Sequence, residues 1–313
     1  MSHIKRLFLI LVITSGLSIN VYSNDDNFVR IGYLNFDEQY LLALISRQQL
    51  IDIGAQVKLV PFDSYFDLRN AMFSRDIDIY WGYTGQTAIN DIYATPPYVQ
   101  EELYDQVKEF DQVSSFIWLQ PSTLVNNFTL AVRKTSNSTN ELETIEDLAK
   151  LANQQASGVN ITLHPIFLQN RIDAMEYLAN FYGSNIDKFI IATEPTFDAI
   201  YSDLRDSKIN IGLAHTTDFQ LDFYSLRQLA DNKNAFPPFQ LAPVIQANTL
   251  TNNAEFEQAL NDISIRLNTH LMRYLLQRWK VDKIGARSTA KEFLYADEIY
   301  PNSGRRSLFE ARQ

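Results

Sequence analysis

From residue 28 onward, apolar side chains recur in patterns that alternate between strand and helix. Phe28–Leu34 (FVRIGYL) is rich in strand-forming residues. Leu41, Leu44 and Ile45 then recur at i, i+3, i+4 spacing, which predicts a helix with one buried face. Asn35 with Glu38 three residues on fits a capping box at its start, and Gly54 fits its end. Val57, Leu59 and Pro61 alternate as a second strand, before a helix near Ser64–Arg75 and a short strand at Ile77–Tyr80. This β-α-β-α-β order predicts a mostly parallel sheet covered by helices.

The middle of the chain repeats the theme. Thr129–Arg133 reads as a strand, and Thr144 with Asp147 opens a helix. A strand from Ile161, a helix over Arg171–Tyr182, a strand at Phe189–Ala192, a helix over Thr196–Arg205 and a strand at Ile209–Leu213 complete a second α/β unit. The tail reads as helical from Asn253 to Lys280, with Phe256, Leu260, Ile263 and Leu267 on one face. Thr289 and Glu292 fit the cap of a last helix. Two such units predict two lobes and a cleft, with the ligand crevice beyond the carboxyl ends of the strands.

The N-terminus changes the picture of where the protein works. Lys5 and Arg6 precede the apolar run Leu7–Ile13 (LFLILVI), and Val21-Tyr22-Ser23 offers a cleavage site, so residues 1–23 read as a signal peptide. Loss of that segment leaves 25 basic against 37 acidic side chains, a net charge of −12. Such a charge excludes nucleic acid and anionic lipid headgroups as partners. With no cysteine in the chain there is neither a disulfide nor a lipidated N-terminal Cys. A free periplasmic protein of a Gram-negative cell is the expected form.

Four segments, in order, resemble those of the substrate-binding proteins of osmoprotectant ABC importers, the glycine betaine, carnitine and choline class. They are Ile77–Ala88 (IDIYWGYTGQTA), Trp118–Lys134 (WLQPSTLVNNFTLAVRK), Asn210–Leu221 (NIGLAHTTDFQL) and Phe236–Ile245 (FPPFQLAPVI). The resemblance implies an α/β, bilobal periplasmic-binding-protein fold, with two chain crossings near Phe128–Val132 and Phe239–Val244 and a central cleft. One lobe would comprise 24–127 with 242–313, and the other 128–241. It also implies a monomer that delivers a small quaternary-ammonium ligand to an ABC permease in the inner membrane, with no cofactor and no catalysis.

That family holds its ligand's trimethylammonium head in a box of four tyrosines. A quaternary ammonium has no N–H to donate, so ring faces must hold it, each contributing about 0.5–2 kcal/mol. Carried onto this chain, the four positions fall on Tyr83, Phe128, His215 and Phe239. Phe keeps the ring quadrupole without the hydroxyl, and His serves as a wall only when neutral. Closure is expected to trap the solute between Tyr83 on one side and His215 with Phe239 on the other. At the tail site the family's lysine is Leu34, its threonine is Gln86, and its arginine is retained as Arg171, so a carboxylate would fall to Arg171 and Gln86. A different small amine or amino-acid derivative in the same fold is one alternative cargo. A periplasmic hydrolase using His215 and Asp218 is an alternative from another class, but no nucleophile elbow accompanies that pair. His3, His164 and His270 have no metal-ligand spacing.

Overall fold

The structure, a computed structural model, describes residues 28–154, 159–168 and 174–299. The predicted signal peptide and Arg171 lie outside the described residues. The elements form two α/β lobes. The strands are β1 (Phe28–Leu34), β2 (Gln56–Phe62), β3 (Ile79–Tyr83), β4 (Phe116–Trp118), β5 (Phe128–Arg133), β6 (Ile161–Leu163), β7 (Ile190–Thr193), β8 (Ile211–His215), β9 (Leu226–Gln228) and β10 (Leu241–Gln246). One sheet has the order β2-β1-β3-β10-β4, the other β7-β6-β8-β5-β9.

Both sheets are mixed rather than mostly parallel. β10 runs antiparallel to β3 and β4, and β5 runs antiparallel to β8 and β9. The reason is the path of the chain. β5 and β10 each enter their sheet from the other lobe, starting at the crevice where β8 and β3 end. Leu241 therefore faces Tyr83, and Phe128 faces His215.

The two connections between the sheets hold each other. Val125 and Gln240 form an antiparallel bridge. Asn126 N–H donates to the Phe239 carbonyl at 3.0 Å, and Phe239 N–H donates to Asn127 Oδ1 at 2.7 Å. Each lobe has its own apolar core, one including Ile31, Leu41, Ile79 and Phe293, the other Leu130, Ile145, Ile161 and Leu213.

Local signals succeed where they act alone. Thr144 and Asp147 form the expected capping box on the helix Ile145–Asn153. Elsewhere tertiary contacts override them. The helix Asp37–Asp52 begins after Phe36, without a side-chain cap, and Asn35 turns to donate to Asp63 at 3.1 Å. The tail is two helices, Glu255–Arg266 and Thr269–Lys280, because Leu267 is extended and Asn268 accepts from the Leu271 N–H at 2.9 Å. Thr289 and Glu292 lie inside the helix Ala286–Leu294 rather than capping it, and Glu292 is buried against Arg278 at 3.1 Å. The helix expected from Arg171 is described over Met175–Phe181.

A buried ion pair fixes the segment that follows β3. Arg69 donates to both oxygens of Asp111, at 2.6 and 2.9 Å, and lies 3.5 Å from Asp91. Tyr65 donates to Asp91 and stands 3.1 Å from the Thr87 hydroxyl. Arg69→Ala would leave Asp111 buried with its charge uncompensated. Equilibrium urea unfolding at pH 7 is expected to show a loss of about 3–5 kcal/mol; a loss below about 1 kcal/mol, the range of exposed pairs, would contradict this role.

Candidate functional site

Five of the six residues predicted for the site line one cavity of about 230 Å³ in the crevice: Tyr83, Gln86, Phe128, His215 and Phe239, beside Leu34. The sixth, Arg171, is outside the described residues. The rings come as two pairs. Tyr83 and Phe239 have centroids 6.2 Å apart and planes at 50°. Phe128 and His215 stack at 4.7 Å with planes 29° apart. Phe239 thus stands with Tyr83, not with His215 as the sequence suggested. It does so because the segment after β3 grips the segment before β10. Thr84 N–H donates to the Gln240 carbonyl at 2.9 Å, and the Thr84 hydroxyl donates to the Pro238 carbonyl at 2.6 Å.

That grip explains Gly85. A Cβ there would lie 2.7 Å from Phe239 Cδ2 and 3.0 Å from the Pro238 oxygen. Glycine is required for the Phe239 ring to approach the turn this closely.

The opposite wall is a column of rings. Phe128 packs on Phe167 at 5.2 Å, and His215 packs on Phe197 at 4.4 Å. Behind His215, Asp218 holds the turn: its Oδ2 accepts from the His215 backbone N–H at 3.0 Å and from the Tyr201 hydroxyl at 2.5 Å. The His215 ring Nδ1 lies 3.5 Å from the same oxygen. Burial pushes the Asp218 carboxyl up, but the hydrogen bonds it accepts from His215 and the Tyr201 hydroxyl outweigh it and hold the group below the usual carboxylate range.

Sequence reasoning misread Glu38. It caps nothing; it is 3% exposed, and its Oε1 accepts from the Tyr83 hydroxyl at 2.5 Å and from Asn126 Nδ2 at 3.3 Å. The signal was present, since Glu38 sits three residues before Leu41 and seven before Ile45, on the buried face of its helix. Burial raises the Glu38 carboxyl above its ordinary range, with the Tyr83 and Thr217 hydroxyls opposing it. Burial and the Glu38 charge likewise push the Tyr83 hydroxyl well up. Asn126, Phe36 and Phe197 were also missed, because nothing local marks them as facing the crevice. A second cavity, of about 430 Å³, adjoins the first through Phe36, Asn126 and His215.

Comparison with known proteins agrees with this architecture. Residues 27–296 match the family described as the substrate-binding domain of ABC-type glycine betaine transport systems. The chain belongs to that family. A glycine-betaine-binding protein of Pseudomonas aeruginosa is 29% identical over 276 residues, covering 85% of this chain and 86% of its own length. The carnitine transport binding protein OpuCC of Listeria monocytogenes is 23% identical over 279 residues, covering 86% and 88%. A crystal structure of a glycine betaine/carnitine/choline ABC transporter protein superposes with a TM-score of 0.76 at 21% identity, over 87% of this chain and 99% of that one. The fold is thus the bilobal periplasmic-binding-protein fold, and this substrate-binding domain is the receptor component of an ABC importer.

The Glu38 carboxyl of this receptor generates a pH prediction. Because its folded-state pKa is raised, ionised Glu38 costs stability, and the cost grows as pH rises from the ordinary glutamate value, about 4.3, toward the raised one. The difference in Tm between Glu38→Gln and the parent protein is expected to grow in favour of the variant from about pH 4 to about pH 7. Circular-dichroism melts give the comparison; a difference that stays flat or shrinks over that range would contradict it.

Proposed function

We propose that this protein is the exported, periplasmic receptor for a quaternary-ammonium solute of the glycine betaine, carnitine or choline type. It hands that solute to an inner-membrane permease and performs no chemistry. The observation that carries the reading is the ring-lined cavity. Tyr83, Phe128, His215 and Phe239 surround about 230 Å³ together with the apolar side chains of Leu34 and Ile166. A permanent cation without N–H groups gains from ring quadrupoles and from exclusion of water, and this lining offers both. The names of the relatives support the same cargo class.

In this reading residues 24–127 with 242–313 form one lobe and 128–241 the other, and they close on the solute as a hinge about the paired connections. The basic start and apolar run before residue 23 support export through a signal peptide. The acidic balance supports a monomer without nucleic-acid partners. His215 and Asp218 serve as structure rather than as a catalytic pair. The Asp218 carboxylate fastens the turn, and the neighbouring Thr216 hydroxyl donates to the Val125 carbonyl at 2.6 Å.

Two variants test the ring cavity by isothermal calorimetry against a panel of trimethylammonium compounds. Phe128→Leu keeps an apolar side chain and removes the π face, so affinity for the best ligand is expected to fall about 3- to 30-fold. Gly85→Ala is expected to displace the Phe239 ring and weaken the same ligand. Unchanged affinity in both folded variants would overturn the cage.

A further inference from the structure

Beside the ring cavity lies the larger compartment of about 430 Å³, and its charged lining is mainly carboxylate. Asp37, Glu38, Asp198 and Asp218 bring carboxylates to it, Asn126 and Gln220 bring amides, and Thr217 brings a hydroxyl. Two buried acceptor atoms there are unused. Glu38 Oε2 has no partner within hydrogen-bond geometry although the residue is 3% exposed and the Thr217 hydroxyl stands near the same carboxyl, and Asn126 Oδ1 has none either. The Asn126 amide N–H is already given to Glu38 Oε1, which leaves its oxygen free to accept. Among the described residues lining the compartment, the cationic side chain is Lys280, and it is held by Asp37 at 2.7 Å. Leu34 in the adjoining ring cavity adds no charge.

A buried acceptor without a donor costs about 1–3 kcal/mol, so this compartment gains when a ligand supplies one. A ligand carboxylate would do the opposite: it offers only acceptors and adds a like charge beside Asp218. We propose that this compartment is a donor-recognising tail subsite, with Glu38 Oε2 and Asn126 Oδ1 accepting from an O–H or N–H on the tail of the bound cation. The described residues thus suit a quaternary ammonium with an alcohol, amine or amide tail better than one with a carboxylate, whose expected partner Arg171 lies outside them. The subsite rests on the ring cavity holding the cationic head.

Calorimetry on the full, folded protein with four ligands sharing that head separates the two claims. Tetramethylammonium probes the rings alone; choline adds a hydroxyl, its methyl ether removes the donor, and glycine betaine substitutes a carboxylate. Choline is expected to bind at least about tenfold more tightly than glycine betaine and several-fold more tightly than its ether. Glu38→Gln is expected to narrow the gap between choline and betaine, and the ligand series decides by itself should that variant not fold. Betaine binding as tightly as choline, or choline matching its ether, would overturn the subsite while tetramethylammonium binding keeps the ring cavity. Absence of binding by all four compounds would overturn both.

Discussion

Two antiparallel registers govern the crevice. Phe128, the first residue of β5, is paired with His215, the last of β8. Leu241, the first residue of β10, is paired with Tyr83, the last of β3, which brings Phe239 against the Tyr83 ring. A strand entering from the other lobe must start where its neighbour ends, and that meeting point is the crevice. Side-chain direction along a strand is fixed by the pleat, so a shift of one residue in either pair would turn a ring away from the cavity. The aromatic walls therefore follow from how the chain crosses between lobes.

Behind each ring pair stands a polar group that fixes it. Glu38 anchors the Tyr83 hydroxyl, and Asp218 fastens the turn that follows His215. These carboxylates are held in opposite ways. Glu38 is strained toward its neutral form by burial, whereas Asp218 is held ionised by the donors around it. Buried acceptors that lack partners lower stability. In the proposed subsite, function and fold stability are in tension at Glu38.

Much of the architecture was legible in the sequence because it is locally written. The alternation of strand and helix patterns, the capping box at Thr144 and the four family-like segments all act over short spans. What those segments do together was not legible. The first and fourth form one unit, since Thr84 bonds to Pro238 across 154 positions, and the second and third form another through Phe128 and His215. No short window carries that information, so Phe239 was assigned to the wrong partner. Glu38 was misread for a related reason: an Asn-x-x-Glu spacing fits a helix cap, but the Tyr83 hydroxyl, 45 positions away, takes the carboxylate instead. The strand directions failed similarly, because antiparallel entry of β5 and β10 depends on the crossings and not on their own residues.

Enclosure of a permanent cation by rings from both lobes is the proposal on which the binding site depends. A crystal structure with choline bound tests it most directly. The trimethylammonium group is expected between the Tyr83–Phe239 and Phe128–His215 pairs, its nitrogen within about 6 Å of the ring centroids. A cation seated elsewhere in the crevice, with these rings turned away from it, would overturn the cage.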